Sequence, residues 1–136
     1  MKIYLSGPIY IDNKELTETW RNEATKYFNS LGIDVINPCR NKATYTPGFH
    51  TPNEILFRDL KDIDESDIIL AYLILAERKL PIGTVAEIMY AWLHQKPVVV
   101  VSEDRRILQH PWIQALSVKI FNDLSSATKY ITSFWT

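Results

Sequence analysis

Cysteine is nearly absent: Cys39 is the only one in 136 residues, so no intrachain disulfide can form and zinc sites built from several cysteines are excluded. That scarcity suits a reducing compartment, and a cytoplasmic location is expected. An excess of charge of either sign is missing too. Fifteen Lys and Arg against sixteen Asp and Glu leave a formal net charge of −1, with no basic block to neutralise a phosphate backbone or an anionic lipid surface. Neither nucleic acid nor a membrane is therefore expected as a partner, whereas a ligand the size of a nucleotide remains compatible.

Long hydrophobic runs are also lacking. The opening MKIYLSGP turns at Gly7-Pro8 after an apolar run too short for a signal peptide, and nothing later approaches the roughly 18 apolar residues of a membrane-spanning helix. Only four glycines occur. Neither G-x-G-x-x-G nor G-x-x-x-x-G-K-S/T is present, which removes the main support for dinucleotide or P-loop chemistry. No serine sits in a G-x-S-x-G elbow, and His50, His94 and His110 lack metal-motif spacing.

What is present is 46% hydrophobic residues in an alternating pattern. A chain of this length buries roughly 68% of its unfolded surface, enough for one domain spanning 1–136. Residues 2–6 read as a buried strand. Leu16, Trp20, Ala24, Tyr27, Phe28 and Leu31 recur mostly at steps of three and four and predict the first helix, with Gly32 as its C-terminal cap. Residues 33–36 form the second strand. Residues 37–52 carry three prolines, one glycine and no periodicity, and long irregular stretches in compact domains are often functional.

Thr51-Pro52-Asn53-Glu54 is a capping box with proline at the first helical position, and predicts a helix to about Asp64. Residues 67–73 make a third strand. A helix from Thr84 to about His94 follows, with Val85, Ile88, Met89 and Trp92 expected inward. Residues 97–102 contain four consecutive valines, a strand buried on both faces. Residues 118–121 supply the fifth strand, and Leu124, Ala127, Ile131 and Phe134 line the last helix. Strands separated by helices imply a five-stranded parallel sheet in an α/β three-layer sandwich. Ligands of such sheets bind beyond the carboxyl ends of the strands, here Ser6-Gly7-Pro8, Asn37-Pro38, the segment after Leu73, and Ser102 onward.

Two carboxylates stand out by position. Asp59 lies four residues from both Ile55 and Ile63, within the apolar stripe of its helix, while Arg58 and Lys61 are expected to point outward. It is either a partly buried structural aspartate or a functional one, and the sequence weighs the two evenly. Glu87 stands three residues after Thr84, so it either completes a capping box or serves as a nucleophile kept ionised by a helix N-terminus. The residues alone do not choose.

The segments KIYLSGPIY (2–10), FRDLKDIDESDIILAYL (57–73) and GTVAEIMYAWLHQKPVVVV (83–101), in that order, resemble the nucleoside 2-deoxyribosyltransferase family. That resemblance implies a flavodoxin-like, Rossmann-like fold and cleavage of the N-glycosidic bond of 2'-deoxynucleosides, the sugar passing to another base through a covalent intermediate. It implies Glu87 as nucleophile, Asp59 as the residue that contacts and helps protonate the leaving base, and Tyr4 as the residue orienting the nucleophile. Ser6, Gly7, Pro8, Gly83 and Thr84 are expected at the substrate. No cofactor or metal is implied, and a homodimer or higher homo-oligomer with shared active sites is.

Of the aromatics able to stack on a base, Tyr10 and Phe49 rank ahead of Tyr45 and Phe57 because both lie in loops leaving strand ends. Two departures bear on the substrate. Six residues before the nucleophile the transferases carry an aspartate for the free 5'-hydroxyl, and this chain has Pro81; an asparagine lent by a neighbouring subunit aligns loosely with Ser117. Related hydrolases of nucleoside 5'-monophosphates lack that acid, which removes charge repulsion. Against them, residues 6–14 hold neither the glycines nor the arginine of a strong phosphate cradle. A non-catalytic nucleotide-binding module is the remaining alternative.

Overall fold

The computed structural model describes residues 1–40, 48–76 and 81–136. Its elements run β1 (Lys2–Ser6), α1 (Lys14–Ser30), β2 (Asp34–Ile36), α2 (Pro52–Glu65), β3 (Ile68–Tyr72), α3 (Ile82–Leu93), β4 (Val98–Val101), α4 (Arg105–Leu108), α5 (Pro111–Leu116), β5 (Lys119–Phe121) and α6 (Leu124–Phe134). The five strands pair in the order β2-β1-β3-β4-β5, every neighbour parallel. This is the flavodoxin-like order, whose direction of winding reverses between β1 and β3. A crevice at the carboxyl ends of those two strands is the consequence.

Strand alternation divides the core in two. Ile3 and Leu5 of β1 face one way, onto Trp20, Ala24 and Phe28 of α1 and Ala127 and Ile131 of α6. Tyr4 faces the other way, with Ile63 of α2, Ile88 and Ala91 of α3, and Ile113 and Leu116 of α5. The four valines of β4 are buried on both faces. Because Ser6 shares the parity of Tyr4, both side chains of β1 that carry a hydroxyl reach the α2–α3 layer.

Local signals account for most boundaries. Thr51 accepts from the Glu54 amide while the Glu54 side chain returns to the Thr51 amide, the reciprocal cap that starts α2. Gly32, at φ +73, ends the turn after α1.

Other expectations are corrected. α3 begins at Ile82 with Pro81 as N-cap and no side-chain cap, so Thr84 and Glu87 form no capping box. Of the four residues expected inward, Ile88 is buried and Met89 packs half-buried against the core, while Val85 and Trp92 are exposed and Thr84 and Ala91 are buried instead. A helix that is apolar nearly all round has no polar side from which its orientation can be read. Leu31 is exposed because α1 has ended before it, and Phe134 is exposed beside Tyr130, its ring stacked at 5.7 Å. Two short helices, α4 and α5, occupy a stretch for which the periodicity predicts nothing. Asp104 and His110 start them by accepting from the Arg106 and Trp112 amides. Among the described residues no helix is long and apolar enough to cross a membrane.

Candidate active site

A cavity of about 640 Å³ opens at the reversal point, between the turn after β1, the inner face of α2 and the start of α3. Its wall is largely apolar, with Pro52, Ile55, Leu56 and Leu60 on one side and Pro81 and Ile82 on the other. Two acids stand in it, Asp59 and Glu87. An apolar cleft with a few converging polar groups is the general form of a small-molecule site.

Glu87 is held from beneath by the strand. The Tyr4 hydroxyl donates to its Oε2 at 2.5 Å and the Ser6 hydroxyl to its Oε1 at 2.9 Å. Both carboxylate oxygens therefore have a donor, and both donors sit on the same face of β1, which fixes the carboxylate plane. Burial pushes the Glu87 carboxyl up to about 7, the Asp59 charge adds to the rise, and the Tyr4 and Ser6 hydrogen bonds together with the Arg21 charge oppose it. Glu87 lies in the second turn of α3 rather than at its first residue. The strand hydroxyls, more than the helix end, favour its ionised form. Burial likewise raises the Tyr4 phenol, with the Glu87 charge next in effect, so Tyr4 keeps its proton and stays a donor.

Asp59 faces the same cavity from α2. Its Oδ1 accepts from Arg58 Nη2 at 3.2 Å and Nε at 3.4 Å, and burial raises its carboxyl while Arg58 pulls the other way. Arg58 does not point outward as expected: Nη2 also donates to the Pro38 carbonyl at 2.8 Å, tying the loop after β2 to α2. Asp62, one turn on, forms a bidentate pair with Arg40 at 2.7 and 3.1 Å. The loop after β2 is thus clamped to α2 at two points, next to the acid.

The remaining expected site residues divide. Gly7, Pro8, Gly83 and Thr84 line the cavity. Ser6 acts on Glu87. Tyr10 also lines the cavity, but it is only 7% exposed and its hydroxyl donates to the Ile74 carbonyl at 2.6 Å, joining the turn after β1 to the segment after β3. A ring so buried serves as wall, with little free face for stacking. Phe49 is not brought to the cavity; it is exposed and meets His50 edge-on at 4.7 Å. Ser117 is likewise elsewhere. It ends α5, bonding back to the Ile113 carbonyl at the amino end of β5, away from this chain's own cavity, whereas the resemblance has it serve a neighbouring subunit's site. Phe57 is exposed on α2, and Tyr45 lies outside the described residues.

Two participants escape sequence reading. Tyr90, on the cavity wall, donates to both Asp64 oxygens, at 2.9 and 3.1 Å, and so fixes α3 against α2. Arg21 is fully buried behind the Gly7-Pro8 turn. It stands four residues after Thr17, itself buried, on the inward stripe of α1, and the argument that singles out Asp59 from its stripe applies equally to it. Among the described residues no three His, Cys, Asp or Glu side chains converge as a metal-binding group.

Residues 3–127 match the family model described as nucleoside 2-deoxyribosyltransferase. No curated protein matches the chain. Among solved structures, a 2-deoxyribosyltransferase of Bacillus psychrosaccharolyticus is similar at 23% identity and TM-score 0.74, over 96% of this chain and 92% of that one. A 2-deoxyribosyltransferase of Leishmania mexicana is 20% identical with TM-score 0.75, over 99% of each chain. A CMP N-glycosidase of Clostridium botulinum is 18% identical with TM-score 0.64, over 98% of this chain and 100% of that one. At these identities the likeness is one of fold.

Proposed function

The chain belongs to the nucleoside 2-deoxyribosyltransferase family, which acts on nucleosides or nucleotides, and from that premise we propose that it breaks the N-glycosidic bond of 2'-deoxynucleosides with Glu87 as nucleophile and passes the sugar to another base. The observation that supports this most is the pair of hydroxyls gripping Glu87 at the floor of the cavity. A carboxylate oriented by two donors and open to a cleft is prepared for in-line attack. One Glu87 oxygen bonds to the anomeric carbon as the carbon–nitrogen bond breaks and its electron pair leaves with the base. Asp59 supplies the proton that makes the base a better leaving group. A nitrogen of the incoming base then attacks the same carbon and releases the Glu87 carboxylate, while its N–H proton returns to Asp59 and restores the acid. No cofactor is needed for either displacement.

The test is incubation with deoxynucleosides and deoxynucleoside monophosphates, each with and without an acceptor base, followed by chromatography. New nucleoside only in the presence of acceptor supports transfer. Free base and free sugar regardless of acceptor would make the protein a hydrolase, and intact substrate in every arm would remove the proposal.

One feature favours a second reading, hydrolysis of nucleoside 5'-monophosphates. At the cavity rim α3 starts on Pro81 with no side-chain cap, and the buried Thr84 hydroxyl has no partner among the described residues. Uncapped first-turn amides are a ready anion site, and position 81 brings no carboxylate to repel a phosphate. Pro81→Asp should therefore shift the ratio of kcat/KM for a deoxynucleoside over its monophosphate at least about 10-fold toward the nucleoside, one such factor being ~1.4 kcal/mol of differential transition-state binding. A ratio unmoved by the substitution would show that position 81 does not read the 5' substituent.

The helix that carries Glu87 also presents Ile82, Val85, Trp92 and Leu93 to solvent, an apolar surface of the kind buried between subunits. A homodimer or larger homo-oligomer formed through α3 would bring a second chain beside the cavity. Light scattering after size exclusion should find an oligomer that Trp92→Glu converts to monomer. A wild-type protein that is monomeric at 100-fold different concentrations would refute this.

A further inference from the structure

Arg21 is the largest fully buried side chain among the described residues, and it has no carboxylate partner. Burying an unpaired charge is costly, so such a group persists only where its surroundings compensate it. Here the compensation comes from backbone carbonyls. Nη2 donates to the Gly7 carbonyl at 2.7 Å, Nη1 to the Thr17 carbonyl at 2.6 Å and to the Pro8 carbonyl at 3.4 Å, and the guanidinium lies 4.7 Å from the Trp20 ring centroid. Nε finds no partner among the described residues.

We propose that Arg21 is a positioning residue for the Glu87 site: it fastens the Gly7-Pro8 turn that floors the cavity and sets a permanent positive charge behind the nucleophile. The turn is packed tightly enough to transmit its position. A β-carbon added at Gly7 would stand 2.7 Å from Trp20 Cζ2, 3.0 Å from the Tyr72 carbonyl oxygen and 3.3 Å from Arg21 Nη2, so the Trp20 ring leaves no room for a side chain on the turn and the guanidinium lies close behind it. With both carbonyls drawn toward Arg21, their negative ends are taken up away from the acid pair. Sequence and strand then act together, because Ser6, the residue before this turn, is one of the two donors to Glu87.

The charged and titratable groups around Glu87 are Tyr4 from β1, Asp59 from α2 with its partner Arg58, Arg21 from α1, and Tyr90 on its own helix. Asp59 disfavours the ionised form of Glu87, and the Arg21 charge acts in its favour. A neutral residue at 21 would therefore leave Glu87 protonated to higher pH.

The inference rests on Glu87 being the nucleophile, but its first readout does not require turnover. The titration of the Glu87 carboxyl is followed by carbon NMR in the wild type, Arg21→Met, Arg21→Gln and Arg21→Lys, with Glu87→Gln to assign the signal. Removing the charge should raise the Glu87 midpoint by about half to one pH unit, with Arg21→Lys, which keeps the charge, close to the wild type. The acid limb of kcat/KM should move with it, so that the neutral variants regain activity at pH 8 to 9. A folded neutral variant with the wild-type midpoint overturns the proposal. If neither neutral variant folds, Arg21→Lys decides, because it keeps the charge and loses the fork that holds the carbonyls: a lowered kcat at unchanged KM supports the positioning role, and an unchanged kcat makes Arg21 a packing residue. Absence of any nucleoside turnover would defeat the proposed function while leaving this titration interpretable.

Discussion

Glu87→Gln will cost on the order of 10⁴-fold or more in kcat and will make the protein more stable above pH 7. The first effect follows because the amide cannot form a glycosyl ester, and loss of a nucleophile leaves only binding and orientation. Wild-type protein trapped with a 2-fluorinated substrate analogue should carry the adduct on Glu87, read by mass spectrometry. Adduct elsewhere, or near-normal turnover of the variant, would sink the mechanism.

The second effect follows from linkage. The folded-state carboxyl sits at about 7 against an ordinary 4.5, chiefly through burial, so the native state holds this proton more tightly than the unfolded chain. That stabilisation is complete below about pH 4.5 and is lost as pH rises through about 7, amounting to roughly 3 kcal/mol when complete. Glutamine avoids the loss. The melting temperature of Glu87→Gln relative to wild type should climb between pH 4.5 and 7, then level off, with a difference on the order of 5 to 10 °C. An identical difference at pH 4 and pH 8 would mean that Glu87 is not held protonated by its site. The same shift predicts that wild-type kcat/KM falls below about pH 7.

Asp59→Asn should reduce kcat by about 10²- to 10⁴-fold for bases that need protonation to leave, and far less for those that do not. The amide keeps the shape and can still meet Arg58 through its oxygen, so KM should change little. It also removes the negative charge that raises the Glu87 carboxyl, which moves the acid limb of kcat/KM to lower pH. A structural aspartate would behave differently. It would lower the melting temperature and reduce activity equally for good and poor leaving groups.

Much of this arrangement is legible in the sequence, and the legible parts share a cause. Strand alternation, the Thr51–Glu54 cap, Gly32 and the four valines act over a few residues, and from them come the α/β class, the five parallel strands and the position of the cavity at their carboxyl ends. Asp59 is legible because a charge inside an apolar stripe contradicts its surroundings. The resemblance carried by residues 2–10, 57–73 and 83–101 adds the family, which the match over residues 3–127 bears out.

What only the tertiary structure decided is how distant side chains pair. The hydrogen bonds from Tyr4 and Ser6 to Glu87 span more than 80 residues, and no local pattern encodes them. The apolar α3 reads inward at Val85 and Trp92 as well as at Ile88 and Met89, and only packing against the sheet put Thr84 and Ala91 inside instead of the first two. Phe49 suggests a site when read by its loop, yet its ring is exposed and meets His50 edge-on. The Arg21 charge gains meaning from the Gly7 and Pro8 carbonyls around it. Local hydrogen bonding and hydrophobic period are properties of a segment, whereas the proton affinity of Glu87 is a property of burial and opposing charges, which exist only once the segments have packed.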